Sequence, residues 1–122
     1  DIIGIRVAPS HLGIIPTCTP ATVNQLIRQT SAALTKAGLS LPTIPTAKLI
    51  DSYYGDGYGV ATKAGSSATE KFAECGITLD QTYTAKAAAA FLDAGRQSTE
   101  VQLYWHTFNS RPVDWLLEQS RV

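Results

Sequence analysis

Tyr83-Thr84-Ala85-Lys86, preceded by Gly76-Ile77-Thr78-Leu79-Asp80 and followed further along by His106-Thr107, gathers the side chains best suited to chemistry in this chain. A phenol and small hydroxyls at the ends of strand-like segments suit the lining of a cofactor pocket in an open α/β sheet. Tyr58 adds a second phenol in the turn Gly55-Asp56-Gly57-Tyr58-Gly59, whose alternating glycines permit positive φ or close backbone approach. The surrounding chain, however, lacks the groups that would anchor a cofactor.

Each of these residues also has a plainer role. Tyr83 suits a core tyrosine with a satisfied hydroxyl, Thr84 a helix cap before an alanine-rich run, and the glycine turn a connector. An isolated GxGxG that neither follows a clear strand nor precedes a basic residue is weak as a phosphate loop. His106 reads as structural and His11 as a loop residue, because no serine or cysteine nucleophile nearby needs either. Lys86 invites assignment as the Schiff-base lysine of a pyridoxal phosphate enzyme. A helix N-terminus would disfavour its charge and so suit that role, but we reject the assignment because no Gly/Ser/Thr-rich phosphate cup lies beside it.

The elements that must position these residues follow from periodicity. Ile2, Ile3, Ile5 and Val7 form a β-branched run ended by Pro9-Ser10, which predicts a buried strand over residues 2–8. A loop leads to Thr19-Pro20, a side-chain cap and a first helical residue with φ already set. Val23, Leu26, Ile27, Ala33, Leu34 and Ala37 then mark the apolar stripe of a helix that Gly38 stops. Residues 39–46 are irregular, and residues 47–51 suit a short edge segment. A second helix runs from Lys63 or Ser66 to Cys75, and a third from Thr84 or Ala85 to near Gly95. Residues 101–106 predict an interior strand with Val101, Leu103 and Trp105 on one face. After a break at 109–112, residues 113–120 predict a terminal helix. This order favours α/β layering.

At 122 residues the chain supports one modest core. Ten basic residues balance ten acidic ones, and no Lys/Arg run is interleaved with aromatics, so nothing favours nucleic acid as a partner. No apolar stretch approaches a bilayer span, and the opening residues lack a signal peptide's basic region, so a soluble cytoplasmic protein is expected. Cys18 and Cys75 form no metal template and read as buried thiols. The absence of methionine, with a strand-like opening, reads as a chain cut from a longer one.

Taken in order, these blocks resemble the C-terminal third of the 1-aminocyclopropane-1-carboxylate deaminase and D-cysteine desulfhydrase family, fold-type-II pyridoxal phosphate enzymes. The family's GxGYG turn, GIxLDPVYTGKA block and HTGG strand end have counterparts in residues 55–59, 76–87 and 106–109, and Ile3-Gly4-Ile5-Arg6-Val7 looks like the strand after its phosphate loop. The resemblance implies an α/β fold with a three-layer open twisted sheet and flanking helices, part of the tryptophan-synthase-β-like architecture. It implies that Tyr58 and Tyr83 are the catalytic tyrosines on the substrate side of pyridoxal 5′-phosphate. It also implies that Thr84 lies beside the cofactor ring and Thr107 near its nitrogen.

Deaminase members of the family typically carry glutamate and leucine at the positions of Thr84 and Thr107, whereas desulfhydrase members carry threonine at both. The pair here therefore leans toward β-elimination chemistry on a thiol-bearing or β-substituted amino acid, releasing ammonia and a 2-oxo acid. A homodimer is implied by the resemblance alone. Three departures stand out: Gln81-Thr82 for Pro-Val, Ala85 for glycine, and Phe108-Asn109 for Gly-Gly, the last two expected to narrow or reshape the pocket. The family's Schiff-base lysine, substrate-binding loop and phosphate cup all precede the matching segment, so the expectation is a partial pocket, inactive alone. The alternative is a non-catalytic α/β small-ligand-binding or interaction domain. A hydrolase reading fails for want of a nucleophile elbow or metal-ligand set.

Overall fold

The β-branched opening forms strand β1 (Ile2–Ile5), which pairs in parallel with β4 (Ala47–Ile50) in the register Ile2 to Ala47 through Ile5 to Ile50. A computed structural model of the chain describes residues 1–107. Between these strands lie a tight hairpin, β2 (His11–Leu12) and β3 (Ile15–Pro16), and helix α1 (Pro20–Lys36). Helices α2 (Lys63–Glu74) and α3 (Thr84–Gln97) complete a small mixed α/β arrangement of three helices and two two-stranded sheets. The terminal helix expected over 113–120 and the Phe108-Asn109 pair lie outside the described residues.

Helix α1 starts as its sequence predicts. The Thr19 hydroxyl accepts from the Thr22 amide and the Thr22 hydroxyl accepts from the Thr19 amide, a reciprocal capping box ahead of Pro20. Its buried residue is nevertheless Asn24, not a member of the apolar stripe; Leu26 and Leu34 are exposed. The Asn24 amide donates to the Ala47 carbonyl at 2.9 Å, and its side-chain oxygen accepts from the Ala47 amide at 2.8 Å. One polar side chain thus satisfies both backbone groups of the first residue of β4 and ties the helix to the sheet.

The core forms between α2 and α3. Ala68, Phe72, Leu79, Ala85, Ala88 and Ala89 are buried together, with Phe91, Leu92, Tyr53 and Tyr104 packed against them. Small residues let the helices approach closely: a Cβ added at Gly65 of α2 would stand 3.4 Å from Ala85 Cβ and 3.0 Å from Thr62 Oγ1. The third helix runs past Gly95 to Gln97, because a glycine on an exposed helical face only weakens a helix.

Three expectations are corrected. Residues 101–106 form no strand; they keep the period-two alternation but have no ladder partner among the described residues. The face turned inward carries Tyr104, whereas Leu103 is 85% and Trp105 79% exposed. Tyr104 wins the interior because its ring meets Phe72 at 5.3 Å and Phe91 at 5.6 Å between centroids, and its hydroxyl donates to the Thr84 carbonyl at 3.0 Å. The first strand is shorter than expected, stopping at Ile5. Cys75 is exposed rather than buried, because it caps the end of α2, and Cys18 is half-buried. No described helix is long and apolar enough to cross a membrane.

Candidate active site

Asp80 organises the start of α3. Its carboxylate accepts from the backbone amides of Thr82 at 3.0 Å, Tyr83 at 2.7 Å and Thr84 at 3.1 Å, and from the Thr84 hydroxyl at 2.6 Å. Desolvation pushes this carboxyl upward, but the Thr84 hydroxyl and the Tyr83, Thr84 and Thr82 amides together outweigh it and hold the pKa below the ordinary aspartate range. Capping therefore belongs to Asp80, and Thr84 is the first residue of the helix rather than its cap. The single proton of the Thr84 hydroxyl goes to Asp80, and its oxygen accepts from the Asp80 amide at 2.8 Å. Toward a ligand, Thr84 has only lone-pair density left to offer.

The two phenols meet. Tyr58, carried by the turn between β4 and α2, shares a hydrogen bond with the Tyr83 hydroxyl, and the rings stand edge to face with centroids 6.1 Å apart. Their exposures of 53% and 47% leave both reachable by a small molecule. The bond to Tyr58 raises the pKa of Tyr83, with desolvation and the nearby charges of Tyr58 and Asp80 acting in the same direction. Tyr83 accordingly keeps its proton at neutral pH, and either phenol of the pair can donate to the other.

Beside this pair, Tyr83, Thr84 and Thr107 line one cleft of roughly 300 Å³. Its apolar wall comes from Ile5 at the C-terminal end of β1, Val7 and Ala87, and its rim from Tyr104 and Trp105. The site thus sits beyond the carboxyl end of a parallel strand, where open α/β sheets place ligands. Three of the four residues expected from the sequence share the cleft, and the fourth, Tyr58, touches it through Tyr83.

Lys86 lies outside it, with 0% of its surface exposed. Its ammonium donates to the carbonyls of Tyr54 at 2.7 Å and Gly57 at 3.1 Å and stands 5.3 Å from the centroid of the Tyr54 ring. Ala85 is buried against Gly65 and does not narrow the cleft, contrary to expectation. His106 bonds through Nε2 to the Thr78 carbonyl at 3.0 Å, in keeping with a structural role.

These residues fit the ring of pyridoxal phosphate better than its ends. Hydroxyls beside aliphatic side chains suit a flat heteroaromatic face. The described residues around the cleft supply neither an amine for the aldehyde nor a cradle for the phosphate, since Lys86 is committed elsewhere. Sequence reasoning missed Asp80 as the group that orients Thr84, and Lys86 as the tie to the glycine turn. The Asp80 signal was present, a carboxylate four residues ahead of a helical threonine. The partners of Lys86 are backbone atoms from a distant turn, which leave no side-chain signature. No protein-family model matches the chain, and a search of curated proteins finds no significant match.

Proposed function

We propose that this chain supplies one wall of a pyridoxal phosphate site in a deaminase or desulfhydrase that releases ammonia and a 2-oxo acid from a small amino acid. The observation that carries the reading is that Tyr83, Thr84 and Thr107 share one cleft at the end of a parallel strand, with Tyr58 bonded to Tyr83 beside it. The chain would then be part of a larger three-layer, tryptophan-synthase-β-like fold. The cofactor's lysine and phosphate cradle would come from residues outside those described, and a homodimer accords with the family resembled.

When bound, pyridoxal phosphate acts as an electron sink for carbanion chemistry at the amino acid. Thr84 and Thr107 would bound its ring, with Thr84 held as an acceptor by Asp80. The Tyr83 phenol would hold a proton on the substrate side, and Tyr58 would renew it through the shared hydrogen bond. Ile5, Val7 and Ala87 would offer the ring an apolar surface on that side. Threonine at both ring positions favours D-cysteine or another β-substituted amino acid over a cyclopropane substrate.

The test is release of sulfide and ammonia by the full-length gene product, loaded with pyridoxal phosphate, from D-cysteine and from 1-aminocyclopropane-1-carboxylate. Both products from D-cysteine are expected; no release from either substrate by cofactor-loaded protein would overturn the reading. A non-catalytic small-ligand module is the second reading, favoured by the lack of anchoring groups among the described residues around the cleft. It predicts that the full-length product takes up no pyridoxal phosphate.

A further inference from the structure

Lys86 is the one charged side chain in the described core with no exposed surface. Burying an ammonium is costly unless its protons find acceptors. Here they find carbonyls, not a carboxylate: Tyr54 at 2.7 Å and Gly57 at 3.1 Å, beside the Tyr54 ring. A space-filling role would be met by a methionine of similar length. The ammonium instead joins the turn to α3 from the buried side, opposite the exposed Tyr58–Tyr83 hydroxyl bond. At one end it sits in the first turn of α3, three residues after Tyr83; at the other it holds Gly57, whose chain neighbour is Tyr58.

We infer that Lys86 is a positioning residue for the phenol pair, its ammonium clamping turn 55–59 onto the start of α3 so that the Tyr58 hydroxyl meets that of Tyr83. The turn has little freedom on its other side. Gly55 has φ +72°, and a Cβ there would meet Thr62 Cγ2 at 2.5 Å, so the backbone is packed against the cap of α2. With that side fixed by packing, the lysine sets the remaining side. The groups facing Tyr83 are Tyr58 from the turn and Asp80 from the segment before α3. Those facing the lysine are the Tyr54 and Gly57 carbonyls and the Tyr54 ring, which Arg6 also approaches, to 4.4 Å from its centroid. The catalytic use of the pair rests on the proposed function, but the clamp itself is read out without cofactor.

The experiment is a pH titration of the full chain, labelled at tyrosine Cζ and followed by carbon NMR. It compares wild type, Lys86→Met, Lys86→Gln and Phe72→Leu, the last loosening the helical core without touching either phenol. In wild type, the Tyr83 midpoint should lie above the ordinary tyrosine value, raised by its bond to Tyr58. Lys86→Met should bring it back toward that value, Lys86→Gln should retain part of the rise, and Phe72→Leu should retain all of it. A wild-type Tyr83 midpoint in folded Lys86→Met would overturn the proposal, as would an ordinary Tyr83 midpoint in wild type. Loss of the fold in both lysine variants would assign Lys86 to stability alone and overturn it equally. A raised, lysine-dependent Tyr83 midpoint in a chain whose full-length product turns over neither amino acid would sink the proposed function and leave the clamp standing.

Discussion

A single carboxylate holds the start of α3 in place. Asp80 receives three backbone amides and the Thr84 hydroxyl, so Asp80→Ala should lower stability by about 1–2 kcal/mol, the range of a lost helix cap, read as a fall in urea midpoint. The pH dependence follows from the sign of the shift. Asp80 has a folded pKa below its unfolded one, so its contribution is complete above the unfolded value and is lost as pH falls through the folded value. Urea midpoints followed into acid should therefore drop in wild type and flatten in Asp80→Asn, which should start lower at neutral pH. An unchanged acid limb in that variant would remove Asp80 from the account. The residue was visible in the sequence only as part of a block; its job depends on a backbone that brings three amides around one side chain.

Elements were more legible where their signals are local. The Thr19-Pro20 start of α1 and the glycine-marked end of α2 lie where capping chemistry places them, and the Thr62 cap decides the start of α2 for Lys63 over Ser66. What periodicity could not reveal is which face each element buries, because that depends on neighbours distant in sequence. Helix α1 shows this most clearly: its buried residue is Asn24, a polar group that no apolar stripe predicts. Asn24→Leu should leave the Ala47 amide and carbonyl unpaired and cost roughly 1–3 kcal/mol, measurable by thermal unfolding, although it makes the helix more apolar. The α2–α3 contact gives a complementary case. Ala85→Leu should overpack the approach to Gly65 and cost about 1–3 kcal/mol, with Tyr83 displaced because it begins the same turn.

At the scale of the whole molecule, residues 101–106 separate pattern from structure. Their alternation suits a strand, but a strand needs a neighbour, and the described parallel sheet has only β1 and β4. Trp105→Ser should therefore change stability by no more than about 0.5 kcal/mol, as for an exposed position, whereas an interior strand would lose several times that. The proximity of the candidate residues was legible only through the resemblance of their blocks to a family pattern: Tyr83, Thr84 and Thr107 line one cleft, and Tyr58 reaches it through its bond to Tyr83. The most direct measurement is sulfide release from D-cysteine by the cofactor-loaded, full-length gene product carrying Tyr58→Phe or Tyr83→Phe. A fall in kcat of about 10²-fold or more, with cofactor content unchanged, is predicted for Tyr83→Phe, and a smaller fall for Tyr58→Phe. Wild-type turnover in both variants would contradict the assignment of this cleft as the place where the proton moves.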